Sequence, residues 1–226
     1  PLERSGPLAD MPQSTTPTPD AAEAARIARR DRFPYLFVDH AVLRYLWHNF
    51  HEIAPGVYRS NHPNHARFAK YKAMGIKTIL NLRGEPKAPH YRYEKASCKE
   101  LGLTLVSTSM WARKAAPRAA LLTLLDHFKT IEKPFVMHCK SGADRAGIAS
   151  AFYLLAEEGA DIATARRMLS FRYLHIKASA TGVLDHTLDM FEARQAQGAI
   201  GLRDWIANEY DPEVVTQSWK AKRGKT

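Results

Sequence analysis

Cys139 and Arg145 stand six residues apart in the run HCKSGADRAG (138–147), a spacing that oxyanion chemistry can use. The residues before Cys139, PFVMH, read as a buried strand, and those from Arg145 onward read as a long apolar helix. A short loop between a strand and a helix N-terminus turns several backbone N–H groups into one concavity, which is an anion nest. Lys140, Ser141, Gly142, Ala143 and Asp144 form that loop and are the expected phosphate-binding residues, together with Arg145. Gly142 permits the tight path, and Gly147 allows close packing in the first helical turn. A thiol at the mouth of the nest is expected to ionise readily, because helix N-termini and neighbouring cations favour the thiolate. Arg145 returns to the same cavity with a planar fork able to hold two oxygens, a grip that lysine cannot reproduce.

HCKSGADRAG resembles the His-Cys-x5-Arg signature of the protein-tyrosine and dual-specificity phosphatase superfamily. VYRSNHP (57–63) and GIKTILNLRGE (75–85) resemble the front half of the small atypical dual-specificity phosphatases, whose bacterial members and inositol-pyrophosphate-active plant and fungal branch share this layout. The resemblance covers residues 53–172. It implies that Cys139 attacks phosphorus to give a thiophosphate enzyme intermediate, which water then hydrolyses. Arg145 and the amides of 140–145 would stabilise the equatorial oxygens. His138 is expected to orient the cysteine loop. The mechanism so implied needs neither metal nor organic cofactor.

Two departures from the family pattern matter. The residue after the arginine is Ala146, where relatives usually carry a hydroxyl that helps the thiolate leave, so slow breakdown of the intermediate is expected. Relatives also place an aspartate on the loop after the strand corresponding to 103–108, but STSMWARKAAPR (107–118) contains no carboxylate. Asp144 is the preferred candidate for the general acid and Glu85 the second, while Asp126 reads as solvated. The competing expectation is that a good leaving group needs no acid.

The elements that must position this loop follow from the pattern. Strands are expected at 56–60, 77–83, 103–108 and 134–139, and helices near 64–74, 91–101, 117–131, 145–158, 161–171 and 182–197. Such alternation implies an α/β fold: a mainly parallel central sheet of four to five strands flanked by helices, with ligands at the carboxyl ends of the strands. Residues 1–19 are Pro- and Ser/Thr-rich and read as disordered, or as cloning residue ahead of a start at Met11. Residues 20–52 read as a helical extension, opening on an Asp20 N-cap, and 53–200 as the phosphatase domain. Residues 201–226 read as a helical basic tail. The aromatic stretch PYLFVDHAVLRYLWHNF (34–50) reads as a helix packed on the domain, with a peripheral membrane contact as the alternative.

The chain has 33 basic and 23 acidic side chains, a formal charge of +10. That balance suits a phosphorylated partner: a phosphoprotein, an inositol phosphate or a phospholipid head group. Nucleic acid is not expected, since charge alone supports it and no nucleic-acid motif is present. Two cysteines make no disulfide framework, which favours a reducing, cytoplasmic setting; no leader is expected, and no run of about 18 apolar residues occurs. Cys98 reads as core, with a regulatory disulfide to Cys139 as the alternative. The pairs His48/His51 and His62/His65 lack a neighbouring carboxylate in metal-ligand spacing, so no metal is expected. Arg59, Arg83, Arg113, Lys114 and Lys140 are candidates for a cationic rim, and Arg172, His175 and Lys177 for one wall of the cleft. Against an active phosphatase stands a phosphate-binding pseudophosphatase, suggested by Ala146 and the missing loop acid. Sulfur transfer fits the loop length poorly, and arsenate reduction needs more thiols.

Overall fold

A computed structural model describes residues 48–84 and 87–224. The expected N-terminal helix, most of the aromatic stretch 34–50, and Glu85 lie outside the described residues.

Five strands form one sheet: β1 (His51–Ala54), β2 (Val57–Asn61), β3 (Thr78–Asn81), β4 (Thr104–Ser107) and β5 (Phe135–Cys139). Their order is β1-β2-β5-β3-β4, with β1 antiparallel to β2 and every other neighbour parallel. β5 is therefore central, and its last residue, Cys139, lies opposite Asn61 at the end of β2. The sheet is the α/β arrangement expected. The strand not foreseen is β1, which extends the parallel sheet through a tight turn at Pro55-Gly56, with Gly56 at φ +71°.

Period-two alternation along β5 divides the chemistry between two faces. Phe135, Met137 and Cys139 join the larger core, while Val136 faces the smaller one, the side that His138 shares. Two helices cover the smaller core, α1 (His65–Ala73) and α2 (Pro89–Leu101), contributing Phe68, Tyr71 and Cys98. α1 begins at an Asn64 cap that accepts from the Arg67 amide, and α2 has Pro89 at its first position. Against the other face lie α3 (Arg118–Thr130), α4 (Arg145–Glu157), α5 (Ile162–Arg166) and α6 (Val183–Gln195). α4 is apolar nearly all round, with Ala146 to Leu154 buried without a break, as a helix sandwiched between sheet and helices requires.

The helix expected over 161–171 ends at Arg166. After it the chain makes a single 3-10 turn at Phe171–Tyr173, closed by Leu174 at φ +61°. This irregular stretch brings His175 to the cysteine loop. Beyond residue 200, α7 (Leu202–Asn208) and α8 (Pro212–Lys222) place Leu202, Trp205, Ile206, Tyr210 and Val215 in the larger core. The Tyr210 hydroxyl donates to the Ala116 carbonyl at 2.7 Å, and Arg118 donates to the Tyr210 carbonyl.

Candidate active site

Where each carbonyl of the loop after Cys139 points decides what the loop can bind. The His62 amide donates to Lys140 O at 3.2 Å, and Asn49 Nδ2 donates to Ser141 O at 3.2 Å. Arg59 Nη2 donates to Gly142 O at 2.6 Å and Ala143 O at 3.1 Å. Asp144 O accepts the first bond of α4, from Ile148. All five carbonyls are thus occupied within the protein, which leaves the peptide N–H groups as the loop's open hydrogen-bonding valences. The Ala143 amide bonds Ser141 Oγ at 3.3 Å; among the described residues, those of Ser141, Gly142, Asp144 and Arg145 donate to no protein acceptor. The N-terminus of α4 also lacks a side-chain cap and an acidic residue in its first turn. Unpaired amides and the helix dipole together make a site for an external anion.

Gly142 is essential to this path. It sits at φ +75°, and a Cβ there would lie 2.7 Å from the Asn61 amide nitrogen. At Gly147 a Cβ would meet Leu169 Cδ2 at 2.8 Å and Met168 O at 2.9 Å.

Cys139 is 2% exposed at the floor of this loop. Arg145, among the described residues, makes no ion pair; it lines an open cleft of about 500 Å³ with Arg83, Ser109, Met110, Trp111, Arg113 and Lys114. Arg83 and Ser109 form an isolated bridge, and the Met110 amide donates to Leu82 O, so the wall is pinned to the end of β3. Lys114 Nζ sits 3.9 Å from the centre of the Trp111 ring. The cleft wall is cationic and aromatic where the family pattern has an acid. Asp126 is exposed on α3, paired with Arg203 at 2.8 Å. Lys140 and Ser141 are half-buried at the loop's start.

Arg59, expected at the rim, is instead wholly buried beneath the loop, 3.8 Å from the centre of the Tyr173 ring, and also donates to Met168 O at 2.7 Å. Burial lowers its pKa to about 10, with Tyr173, Cys139 and Asp144 opposing the shift. It stays charged at neutral pH, a fixed cation close under the nucleophile.

His138 faces the other side of the sheet. Its Nε2 meets Glu94 Oε1 at 2.5 Å, with both side chains fully buried. Asp144 Oδ1 pairs with His175 Nδ1 at 2.8 Å, and His175 Nε2 pairs with Asp185 Oδ2 on α6 at 2.7 Å. Burial alone would lower the His175 pKa, but the hydrogen bonds and charges of Asp144 and Asp185 outweigh it and push it up to about 9. The imidazolium therefore donates to both carboxylates, tying the loop to α6. Cys98 is free and 1% exposed in the smaller core, across the sheet from Cys139; burial, then the charge of Glu94, pushes its thiol up.

Lys140, Ser141, Gly142, Ala143 and Asp144 connect Cys139, the last residue of β5, to Arg145, the first of α4. Asn49 and Glu94 escaped sequence reasoning, and Arg59 was read as rim rather than as a support beneath the loop. A charged residue inside the strand run VYRSN, and a glutamate on the Cys98 face of α2, were the available signals.

A central-strand cysteine, an amide nest and a helix-borne arginine define the class of cysteine-based phosphatases. The chain belongs to the family described as PTP-SAK, Swiss Army Knife protein, DSP-PTPase phosphatase domain, which it matches over residues 49–190. It is similar to dual specificity protein phosphatase TpbA of Pseudomonas aeruginosa (strain UCBPP-PA14), with 26% identity over 115 residues, 50% of this chain and 49% of the relative. The chain thus matches about half the length of that curated relative. Among solved structures, P. aeruginosa TpbA in complex with pTyr shares the fold at TM-score 0.51 and 21% identity, covering 66% of this chain and 91% of that one. So does the core catalytic domain of the PP-IP phosphatase SIW14 from S. cerevisiae in complex with citrate, at TM-score 0.50 and 19% identity, over 78% and 93%.

Proposed function

We propose that this chain hydrolyses phosphate monoesters through a thiophosphate intermediate on Cys139, acting on phosphotyrosine or dual-specificity phosphoprotein substrates. The observation that carries this reading is the loop after Cys139, whose five carbonyls are all bonded within the protein while the amides of Ser141, Gly142, Asp144 and Arg145 meet no acceptor among the described residues. The Cys139 thiolate attacks phosphorus, the S–P bond forms, and the substrate oxygen departs with its electron pair and takes up a proton. Water then attacks phosphorus, the S–P bond breaks, and inorganic phosphate leaves. The loop amides and Arg145 bind the equatorial oxygens in both steps.

His138 acts as a positioning residue, its ring fixed by Glu94 on the face opposite the cleft. Asp144 holds the loop through His175; to serve as the acid for substrates with poor leaving groups it would first have to take a proton, from His175 or from solvent. Ala146, buried and without a hydroxyl, leaves the second step unassisted at that position.

A second substrate reading rests on the wall formed by Arg83, Arg113, Lys114 and Arg145, which suits a polyanionic small molecule such as an inositol phosphate, or a phospholipid head group. Among the described residues no helix is long and apolar enough to cross a membrane. Two free, buried cysteines fit a cytoplasmic setting.

The test is turnover of an aryl phosphate, phosphopeptides, inositol polyphosphates and phosphatidylglycerophosphate by wild type and Cys139→Ser. Turnover abolished by the substitution supports the enzyme. Tight phosphate binding without turnover would instead establish a pseudophosphatase.

A further inference from the structure

Behind the nucleophile's strand, on the side covered by α1 and α2, His62, Glu94 and His138 converge away from solvent. His62 follows β2, Glu94 lies on α2, and His138 precedes the nucleophile on β5. All three are 0% exposed, and one donor atom from each lies within 4.8 Å of the others. The His62 and His138 rings are centred 4.9 Å apart and nearly perpendicular. His90, one helical turn before Glu94, adds a third imidazole, but its Nδ1 accepts from Arg83 Nη2 at 3.2 Å and is already committed.

Orienting His138 requires one carboxylate oxygen, and Glu94 Oε1 supplies it. Glu94 Oε2 and His138 Nδ1, both buried, have no hydrogen-bond partner. Native interiors seldom leave such atoms unmatched, and a carboxylate oxygen without a donor is a marked exception. Two imidazoles and a carboxylate around one point form a zinc donor set, with bonds of about 2.0–2.2 Å.

We propose that His62, Glu94 (through Oε2) and His138 bind one late first-row divalent ion, Zn²⁺ foremost. The pairing of the phosphatase loop with this site is direct, because His138 is the residue before Cys139. Without the ion, one proton bridges His138 Nε2 and Glu94 Oε1. The ion displaces that proton from His138 Nε2, the ring keeping one hydrogen on Nδ1, and Glu94 turns Oε2 to the ion as the three side chains close by rotation. Ligation at His138 repositions the strand end that carries the nucleophile, so the loaded protein turns over substrate more slowly than the metal-free form.

The test uses the full chain carrying Cys139→Ser, so that the nucleophile cannot serve as ligand. Co²⁺ titration followed by absorption is expected to show one equivalent bound in a tetrahedral site, with ligand-field bands and no sulfur-to-cobalt charge transfer. Glu94→Gln and His62→Asn in the same background should each weaken Co²⁺ binding by about 100-fold or more. Absence of a stoichiometric site in the Cys139→Ser chain, or unchanged binding in both variants, would overturn the proposal. Should the variants not fold, X-ray absorption of the Zn²⁺-loaded Cys139→Ser chain decides. Outer-shell scattering from two imidazoles supports the site, and a sulfur or water-only shell refutes it.

Discussion

Replacing His175 with glutamine should cost stability in a way that depends on pH, and the size follows from the structure. The folded imidazolium has a pKa pushed up to about 9, against 6.5 for the unstructured residue. A gap of that size corresponds to about 3 kcal/mol at 1.36 kcal/mol per unit. The Asp144 carboxylate is 24% exposed, so solvent screens part of this, and about 2 kcal/mol is the expected contribution. Because the folded pKa is the higher one, the stabilisation is complete below about pH 6.5 and fades as pH rises through about 9. Urea unfolding of wild type and His175→Gln at pH 6, 7.5 and 9.5 measures the difference directly. The expected gap is about 2 kcal/mol at pH 6, smaller at pH 7.5 and close to zero at pH 9.5. Turnover of an aryl phosphate should fall along with it, since the same imidazolium anchors Asp144 in the loop. A stability gap that stays constant across the range would refute the claim that a charged His175 ties the loop to α6.

Three further outcomes follow from the same geometry. Arg59→Met strips the donors from Gly142, Ala143 and Met168 carbonyls and, at about 1–3 kcal/mol for each buried group left unsatisfied, should destabilise the fold by about 3–5 kcal/mol, seen in thermal melts, with kcat falling in whatever fraction remains folded. Stopped-flow assay of wild type with an aryl phosphate should give a burst of phenol before a slower steady state, and Ala146→Ser should shrink the burst by speeding intermediate hydrolysis; no burst in wild type would place the slow step elsewhere. Asp144→Asn keeps an acceptor for His175, so if Asp144 donates a proton the loss should be about 10²-fold or more for an alkyl phosphate and far less for a nitrophenyl ester. Equal losses on both substrates would restrict Asp144 to holding the loop.

The cysteine loop was legible because its signal is local: a strand, five residues and a helix in one uninterrupted run. The parallel sheet was legible for the same reason, each strand being a short apolar segment followed by a helical pattern. β1 was missed because HEIA offers only two apolar residues, although the Pro55-Gly56 pair that follows is a turn signal. What sequence reasoning could not supply are the long-range partners. Arg59 reaches Gly142 across 83 positions, Glu94 reaches His138 across 44, and His175 reaches Asp144 across 31. No periodicity encodes such pairings; they arise when β2, α2 and the 171–175 turn are folded around β5. Arg59 therefore read as rim, and His62 was weighed beside His65, whose Nδ1 in fact meets Ser97 Oγ at 3.2 Å.

A crystal soaked with vanadate tests the central claim most directly. The account predicts vanadium bonded to Cys139 Sγ, its equatorial oxygens held by the amides of residues 140–145 and by both terminal nitrogens of Arg145. Vanadate bound elsewhere, with Cys139 untouched on the floor of the loop, would contradict it.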